Sequence, residues 1–364
     1  MRKNTLSAVS LFSGAGGMDV GFSAAGFDVI FANDIDPIAC ETFEANGLGA
    51  SYVGSLEDSK IRRNLRHADI VFGGPPCQGF SVAGKMDPSD SRSGLMNTYF
   101  DVVDEVRPTA FVCENVKALA VLSRWASVRA GLVERAKKHY KVALLVLKAS
   151  DFGVPQNRER MFLVGIRKDS FWGQDEDLRV ELMSRLSMLE ETPRTVAEVV
   201  KSLGRAGTEG NAQVCRAKIT YARAPVLRRS AYAGMLFNGA GRPLPANGCA
   251  TTLPASMGGN KTPIIDEAEI FEGQPSFVEG YHKHLVEGGK PRVGEAPKRL
   301  RRLTIDECLA IQTFPKGFKL AGSQSAQYRQ IGNAVPCQLA KVVATALRET
   351  LSGADLPQQL EAAE

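Results

Sequence analysis

Histidine and tryptophan are scarce in this chain, at four and two among 364 residues. His67, His139, His282 and His284 stand beside no cysteine at zinc-binding spacing and in no recognisable protease context, which argues against a structural zinc site and a Cys-His hydrolase. The seven cysteines, Cys40, Cys77, Cys113, Cys215, Cys249, Cys308 and Cys337, are odd in number, scattered and without a CxxC pair, so no disulfide framework is expected. No stretch approaches the roughly 18 uninterrupted apolar residues of a membrane span, and Met1-Arg2-Lys3 leads into no apolar region. The expectation is a cytoplasmic, monomeric protein with no membrane partner and no metal.

With 44% hydrophobic residues the chain can bury a large core, as one domain or two. The net charge of +5 suits an acidic partner without requiring one. Locally the excess is stronger: Lys290, Arg292, Lys298, Arg299, Arg301 and Arg302 face only Glu295. Such a cluster can engage phosphates, and a solvated linker is the alternative reading.

Short β-branched runs alternate with amphipathic segments through the first half. Strands are expected at 8–12, 27–32, 70–73, 110–113, 142–149 and 161–166, with helices at 18–26, 98–106 and 127–139. This pattern predicts an α/β fold with a doubly wound, mostly parallel sheet, whose ligands sit beyond the carboxyl ends of the strands. From about Asp175 to Gly294 the texture changes to Gly, Pro, Asn and Thr in irregular runs, predicting a second, smaller, loop-rich domain. Helical period returns in "LTIDECLAIQTF" and from Pro336 to Leu351. The expected boundaries are 1–185, 186–310 and 311–364, the last segment completing the first domain.

After the first strand, "LFSGAGGMDVGF" opens a helix where a nucleotide-binding turn belongs. Its glycines, Gly14, Gly16, Gly17 and Gly21, miss G-x-G-x-x-G because Asp19 takes the third glycine position, which weakens a dinucleotide reading. They still allow close approach of a ligand to the backbone. Asp34, at the end of the second strand, can accept hydrogen bonds from ribose hydroxyls. A ligand with ribose and no pyrophosphate fits, and S-adenosylmethionine is one.

Cys77 stands in "GGPPCQGFS", directly after the run Ile70-Val71-Phe72. Pro75 and Pro76 fix two φ angles, while Gly73, Gly74 and Gly79 permit tight turns, so a thiol is presented on a stiff loop at the functional edge of the sheet. Thiolate is intrinsically nucleophilic and suits covalent catalysis when a partner assists it. Glu114 in "FVCENV" is a carboxylate that the apolar neighbours Phe111 and Val112 could desolvate, favouring its protonated form. In "QNRER", Arg158 and Arg160 are two apart, so an extended segment would turn both guanidinium groups to one side.

Taken together, "LFSGAGGMDVGF", "GGPPCQGFS", "ENV", "DFGVPQNRERMFLVG", "RRLTIDECLAIQTFP" and "QIGNAVP" resemble, in order and spacing, the cytosine-5 DNA methyltransferases. The resemblance spans roughly Val9 to Ala344 and implies the S-adenosylmethionine-dependent methyltransferase fold. It makes Cys77 the nucleophile at cytosine carbon 6, Glu114 the group on ring nitrogen 3 and the exocyclic amine, and Arg160 the group on the exocyclic oxygen. Arg158 would support the loop. Gln78 and Ser81 would hold the extruded nucleotide, which must leave the duplex before its carbon 5 can be reached.

For the cofactor, the resemblance points to Phe12, Gly14, Gly16, Gly17, Asp34, Ile35, Pro76, Leu95, Asn333 and Val335. Two positions depart from it: Ser10 stands where the family often has Asp, and Ser55 where an Asp usually reads the adenine amine, with Glu57 or Asp58 as substitutes. The partner implied is double-stranded DNA, read by a region holding Arg242, Asn247, Thr252, Leu253, Asn260 and Lys261. The role implied is protection of host DNA from a cognate restriction endonuclease. An RNA (tRNA) cytosine-5 methyltransferase is the alternative.

Overall fold

The first apolar run forms β1 (Leu6–Leu11), and the glycine turn behind it opens α1 (Gly17–Ala24). There follow β2 (Phe27–Asp34), α2 (Pro37–Ala45), β3 (Ser51–Val53), α3 (Ser59–Arg62), β4 (Ile70–Gly73) and α4 (Gly94–Val106). Next come β5 (Ala110–Val116), α5 (Lys117–Val121), α6 (Ala126–Lys137), β6 (Tyr140–Lys148), β7 (Gln156–Asn157), β8 (Glu159–Arg167) and α7 (Asp175–Ser187). The rest comprises α8 (Val196–Leu203), β9 (Tyr221–Val226), β10 (Met235–Phe237), β11 (Ala250–Thr251), β12 (Ile264–Asp266), α9 (Glu267–Glu272) and α10 (Phe277–Val286). It ends with β13 (Leu300–Arg302), α11 (Ile305–Ile311), α12 (Gln324–Asn333) and α13 (Cys337–Gly353). This computed structural model describes residues 5–76 and 94–353. Two units are distinguished: Met1–Phe152 with Glu159–Glu191 and Val335–Glu364, and Gly153–Arg158 with Thr192–Ala334.

In the first unit seven strands form one sheet in the order β3-β2-β1-β4-β5-β8-β6. β8 runs antiparallel to both of its neighbours, and the other six strands share one direction. The doubly wound, mostly parallel sheet expected from the alternation is therefore present. Its winding reverses at β1, which has β2 on one side and β4 on the other; a crevice opens at such a switch point beyond the strand ends. Helices cover both faces, so central strands carry continuous apolar runs: Ile70, Val71 and Phe72 are fully buried.

Phe72 stacks on Phe22 of α1 with centroids 3.9 Å apart, while Phe111 meets Phe100 and Tyr140 edge-on. Each such ring contributes about 1.5–3 kcal/mol through burial. Gly21 lets α1 lie against α13: a Cβ there would stand 2.6 Å from the Cys337 carbonyl oxygen. The return segment thus packs onto the first helix, backbone against backbone.

The stretch after Asp175 holds more helix than its texture suggested. α7 buries Leu178, Leu182 and Leu186, spaced i, i+4, i+8, and begins with a reciprocal cap between Gln174 and Asp177. α8 begins with the same device, Thr195 and Glu198. Both signatures were readable, and the surrounding Gly and Pro residues obscured them.

The second unit has its own core, in which Ile219, Leu236, Phe237, Ile264, Val278, Tyr281 and Leu300 pack together. Here the basic cluster has a different role from the phosphate-facing one expected. Arg299 Nε bonds Asp266 at 2.7 Å, and Arg301 bridges Glu267 at 2.8 Å and the fully buried Glu307 at 2.6 Å. Arg302 is 1% exposed and donates to the Thr262 and Asn238 carbonyls. Three of the six cations therefore tie β12 and β13 to their surroundings, which a count of charges could not reveal.

Candidate active site

Two glycines end β4 because two other groups occupy the space a side chain would need. A Cβ on Gly73 would run into the Leu11 carbonyl of β1, and one on Gly74 would stand 2.7 Å from Glu114 Oε2. The next residue is held from β5: Asn115, 1% exposed, donates from Nδ2 to the Pro75 carbonyl at 3.1 Å. Its Oδ1 accepts the Val116 amide at 2.9 Å, which fixes the direction of the amide group. The backbone two residues ahead of position 77 is thereby anchored to β5. Cys77, Gln78 and Ser81 lie outside the described residues.

β5 and β8 pair antiparallel with Glu114 opposite Phe162 and Val116 opposite Arg160, which places Glu114 and Arg160 diagonally on one face. Arg160 Nε lies 2.9 Å from Glu114 Oε1, with the side chains only 14% and 10% exposed. Arg160 Nη1 also donates to the Glu159 carbonyl at 2.7 Å. The second oxygen, Oε2, is the one directed toward Gly74.

Arg158 does not join this pair. The extended run breaks between β7 and β8, and Arg158 turns into the second unit, where it is 3% exposed and donates to the carbonyls of Leu253 and Gly332, each at 3.2 Å. Gln156 Oε1 accepts the Leu253 amide at 2.9 Å. The two arginines of "QNRER" thus serve different units, since the alternation that would have aligned them is interrupted.

On the other side of the switch point the chain leaves β1 through Phe12, whose φ of 54° is unusual outside glycine, and turns at Gly14 and Gly16 with φ of 54° and 85°. Asp34, the last residue of β2, accepts the Gly14 amide at 2.8 Å on one oxygen and the Asp36 amide at 2.9 Å on the other. Burial raises its pKa above the ordinary carboxylate range, and those two amides oppose the rise. Ile35 beside it is 71% exposed, a bare apolar surface at the strand end. Gly17 is the first residue of α1; Pro76 and Leu95 are partly exposed, Val335 is buried, and Asn333, the last residue of α12, is exposed.

The positions that depart from the resemblance are occupied differently. Ser55 Oγ accepts the Glu57 amide at 3.1 Å, and Asp58 caps α3 by accepting the Lys60 amide at 2.8 Å. Ser10 lies beside Asp19, a fully buried acid whose pKa burial pushes up to about 7. The Ser10 hydroxyl draws that value back toward ordinary, although neither side chain completes a well-formed hydrogen bond among the described residues. Asp19 and Asn115 are the site residues that sequence reasoning passed over. The signals were available: an acid inside the apolar helix start "GGMDVGF", and the middle residue of "ENV".

In the second unit, Arg242, Thr252 and Lys261 are exposed, and Thr252 Oγ1 donates to the Asn157 carbonyl at 3.1 Å. Leu253 is fully buried, so its side chain anchors the loop instead of offering a surface.

The order and directions of the seven strands are those of a Rossmann-type methyltransferase. More specifically, residues 6–349 match the family C-5 cytosine-specific DNA methylase, and the chain belongs to that family. It is 30% identical to the Type II methyltransferase M.FnuDI of Fusobacterium nucleatum over 354 residues, covering 95% of each chain. It is also 30% identical to the Type II methyltransferase M.MthTI of Methanothermobacter thermautotrophicus over 361 residues, 96% of this chain and 98% of that one. The S. pombe Dnmt2 methyltransferase structure shares the fold, with a TM-score of 0.63 at 16% identity, covering 96% of this chain and 99% of that one.

Proposed function

We propose that this chain methylates carbon 5 of a flipped-out cytosine in duplex DNA, with Cys77 as nucleophile and the Glu114–Arg160 pair as its electrostatic partner. The observation that carries the reading is the anchoring of Gly74 and Pro75 to β5, beside that pair: Gly74 abuts Glu114 Oε2, and Asn115 holds the Pro75 carbonyl. The chain leading toward position 77 is anchored as far as Pro75 by the same strand that presents the acid, which supports the preorganisation covalent catalysis needs.

Cytosine carbon 5 is a weak nucleophile. Addition of the Cys77 sulfur to carbon 6 forms a C–S bond and moves electron density onto carbon 5 and the nitrogen 3 side of the ring. Glu114 in its carboxylic-acid form donates to nitrogen 3, and Arg160, already fixed by Glu114, offers its guanidinium to the exocyclic oxygen, so the developing charge meets donors set before the reaction begins. Once carbon 5 carries the transferred methyl group it is saturated; a base, water or hydroxide, then takes its proton, the 5,6 double bond re-forms and the C–S bond breaks, returning Cys77 as thiolate.

The cofactor reading rests on Asp34, Ile35 and the glycine turn. A carboxylate fixed by two amides, a bare apolar side chain beside it and a turn with open space at Gly14 suit a ribose, a purine and a close ligand respectively. Asp19 places next to Ser10 a carboxylate that position 10 itself lacks. When bound, S-adenosylmethionine supplies the electrophilic methyl group. Phe12, Gly14, Gly16, Gly17, Asp34 and Ile35 would hold it, with Pro76, Leu95, Asn333 and Val335 as further contacts.

The Type II names of the relatives support a place in restriction and modification, protecting DNA at a particular sequence. Trapping tests the chemistry: with S-adenosylmethionine and duplexes containing 5-fluorocytosine, the wild-type chain should form an adduct that survives denaturing electrophoresis. A Cys77→Ala variant that still forms it would overturn the mechanism. Bisulfite sequencing of DNA from expressing cells should show methylation at one short motif.

A further inference from the structure

Between Glu209 and Asp266 the chain contains no acidic residue, a gap of 56 positions in which its overall frequency of 40 acids in 364 would place about six. The same gap holds seven cations: Arg216, Lys218, Arg223, Arg228, Arg229, Arg242 and Lys261. All seven are exposed, and only Lys218 makes an ion pair among the described residues, with Glu295 at 2.6 Å. The contrast with 290–302 is physical. There, Arg299 and Arg301 are neutralised by acids and Arg302 is buried on carbonyls, whereas here the charge is left facing solvent.

Three of these cations sit on or beside one element. β9 and β10 form a two-stranded antiparallel sheet that joins no other strand. Its base is anchored: Tyr221 and Phe237 pack on Tyr281, with the Tyr221 ring 5.0 Å from that of Tyr281. Gly234 allows the strands to cross closely, since a Cβ there would strike the Val226 carbonyl. The hairpin and the turn after β9 expose Arg223, Arg228 and Arg229 together with the apolar residues Val226, Leu227 and Met235, which are 42%, 38% and 41% exposed. Pro225 removes an amide from β9 in this small sheet, which discourages pairing with another strand. Exposed apolar residues with three exposed arginines close by in the same hairpin suit a polyanion with an apolar floor. The major groove of DNA is about 12 Å wide, admits a two-stranded ribbon, and offers thymine methyl groups between two rows of phosphates.

We propose that the β9–β10 hairpin is the element with which this chain grips duplex DNA, Arg223, Arg228 and Arg229 holding phosphates, and that Arg299, Arg301 and Arg302 are structural. The assignment of DNA rests on the methyltransferase reading, so the test separates the two. A fluorescein-labelled mixed-sequence duplex of roughly 30 base pairs is titrated with the full chain between about 50 and 200 mM salt, where each phosphate contact contributes about 0.9 to the slope of log affinity against log salt. R223Q/R228Q/R229Q should lower that slope by between about 2 and 3. The single variants R228Q and R229Q should each lower it by about 0.9, which keeps the test decisive if the triple variant folds poorly. K290Q/K298Q should leave it unchanged.

A wild-type slope in the hairpin variants, or an equal loss in K290Q/K298Q, would overturn the proposal, as would tighter binding of a matched RNA duplex. The methyltransferase reading is judged separately, by adduct trapping with wild-type protein. Salt-dependent binding lost in the hairpin variants, without any wild-type adduct, leaves the surface standing and rejects the chemistry.

Discussion

Arg160 Nε lies 2.9 Å from Glu114 Oε1 across two antiparallel strands, in a setting where both side chains are nearly buried. Glu114→Gln keeps the shape and removes the charge, and should reduce single-turnover methyl transfer by about 10²–10³-fold with little change in cofactor affinity. Arg160→Ala removes the ion pair with Glu114 at a nearly buried site, so it should also lower stability, by at most about 3 kcal/mol. A transfer rate within tenfold of wild type for Glu114→Gln would remove the pair from the chemistry.

Adjacent glycines should separate fold from function. Gly73→Ala drives a Cβ into the Leu11 carbonyl of a central strand, which cannot move aside, and should cost about 2 kcal/mol or more in a denaturant melt. Gly74→Ala meets only the far end of Glu114, which can swing away. Its melt should stay close to wild type while transfer falls at least about tenfold, because a misplacement near 1 Å can cost about 10²-fold. Equal behaviour of the two variants in both measurements would contradict this division.

Asn115→Asp removes the donor that reaches the Pro75 carbonyl while keeping the side chain's size. The expected loss of stability is about 1–3 kcal/mol, from one buried acceptor left unpaired and an acid introduced at a buried site. The diagnostic is kinetic: kcat should fall by more than tenfold, with KM for the cofactor nearly constant. Unchanged kcat would make Asn115 a packing residue only.

Asp19 gives a pH test. Its folded-state pKa of about 7 lies above the ordinary 3.8, so the folded chain holds this proton more tightly than the unfolded one. The stability this group contributes is complete below about pH 4 and is lost as pH rises through about 7, a change of about 4 kcal/mol at most. Asp19→Asn, a neutral copy of the protonated acid, should flatten the pH dependence of the melting temperature in that window and stabilise the chain at pH 8. Parallel profiles for wild type and variant would exclude Asp19 as the titrating group.

Much of the first unit was legible because its signals are local. Apolar runs such as Ile70 to Phe72 and the glycine turn after β1 announce a wound sheet, since the residues that set them are neighbours in the chain. α7 was hidden despite its Leu178, Leu182 and Leu186 spacing, because the Gly- and Pro-rich stretch beyond it set the reading. The fates of Arg299, Arg301 and Arg302 were illegible for a different reason: their partners Asp266, Glu267 and Thr262 lie more than thirty residues away.

By itself, the order of residues determined the alternation of strands and helices, the Gly-Gly-Pro-Pro run that leaves β4 and the chemical types expected for covalent attack on a pyrimidine. Those are properties of short stretches, where sterics and periodicity act between near neighbours. Only the tertiary structure decided that Arg160 pairs with Glu114 while Arg158 turns to Leu253 and Gly332, and that Asn115 grips Pro75. It likewise decided which cations are neutralised and which remain exposed, because pairing of charges depends on distances through space that chain separation does not set.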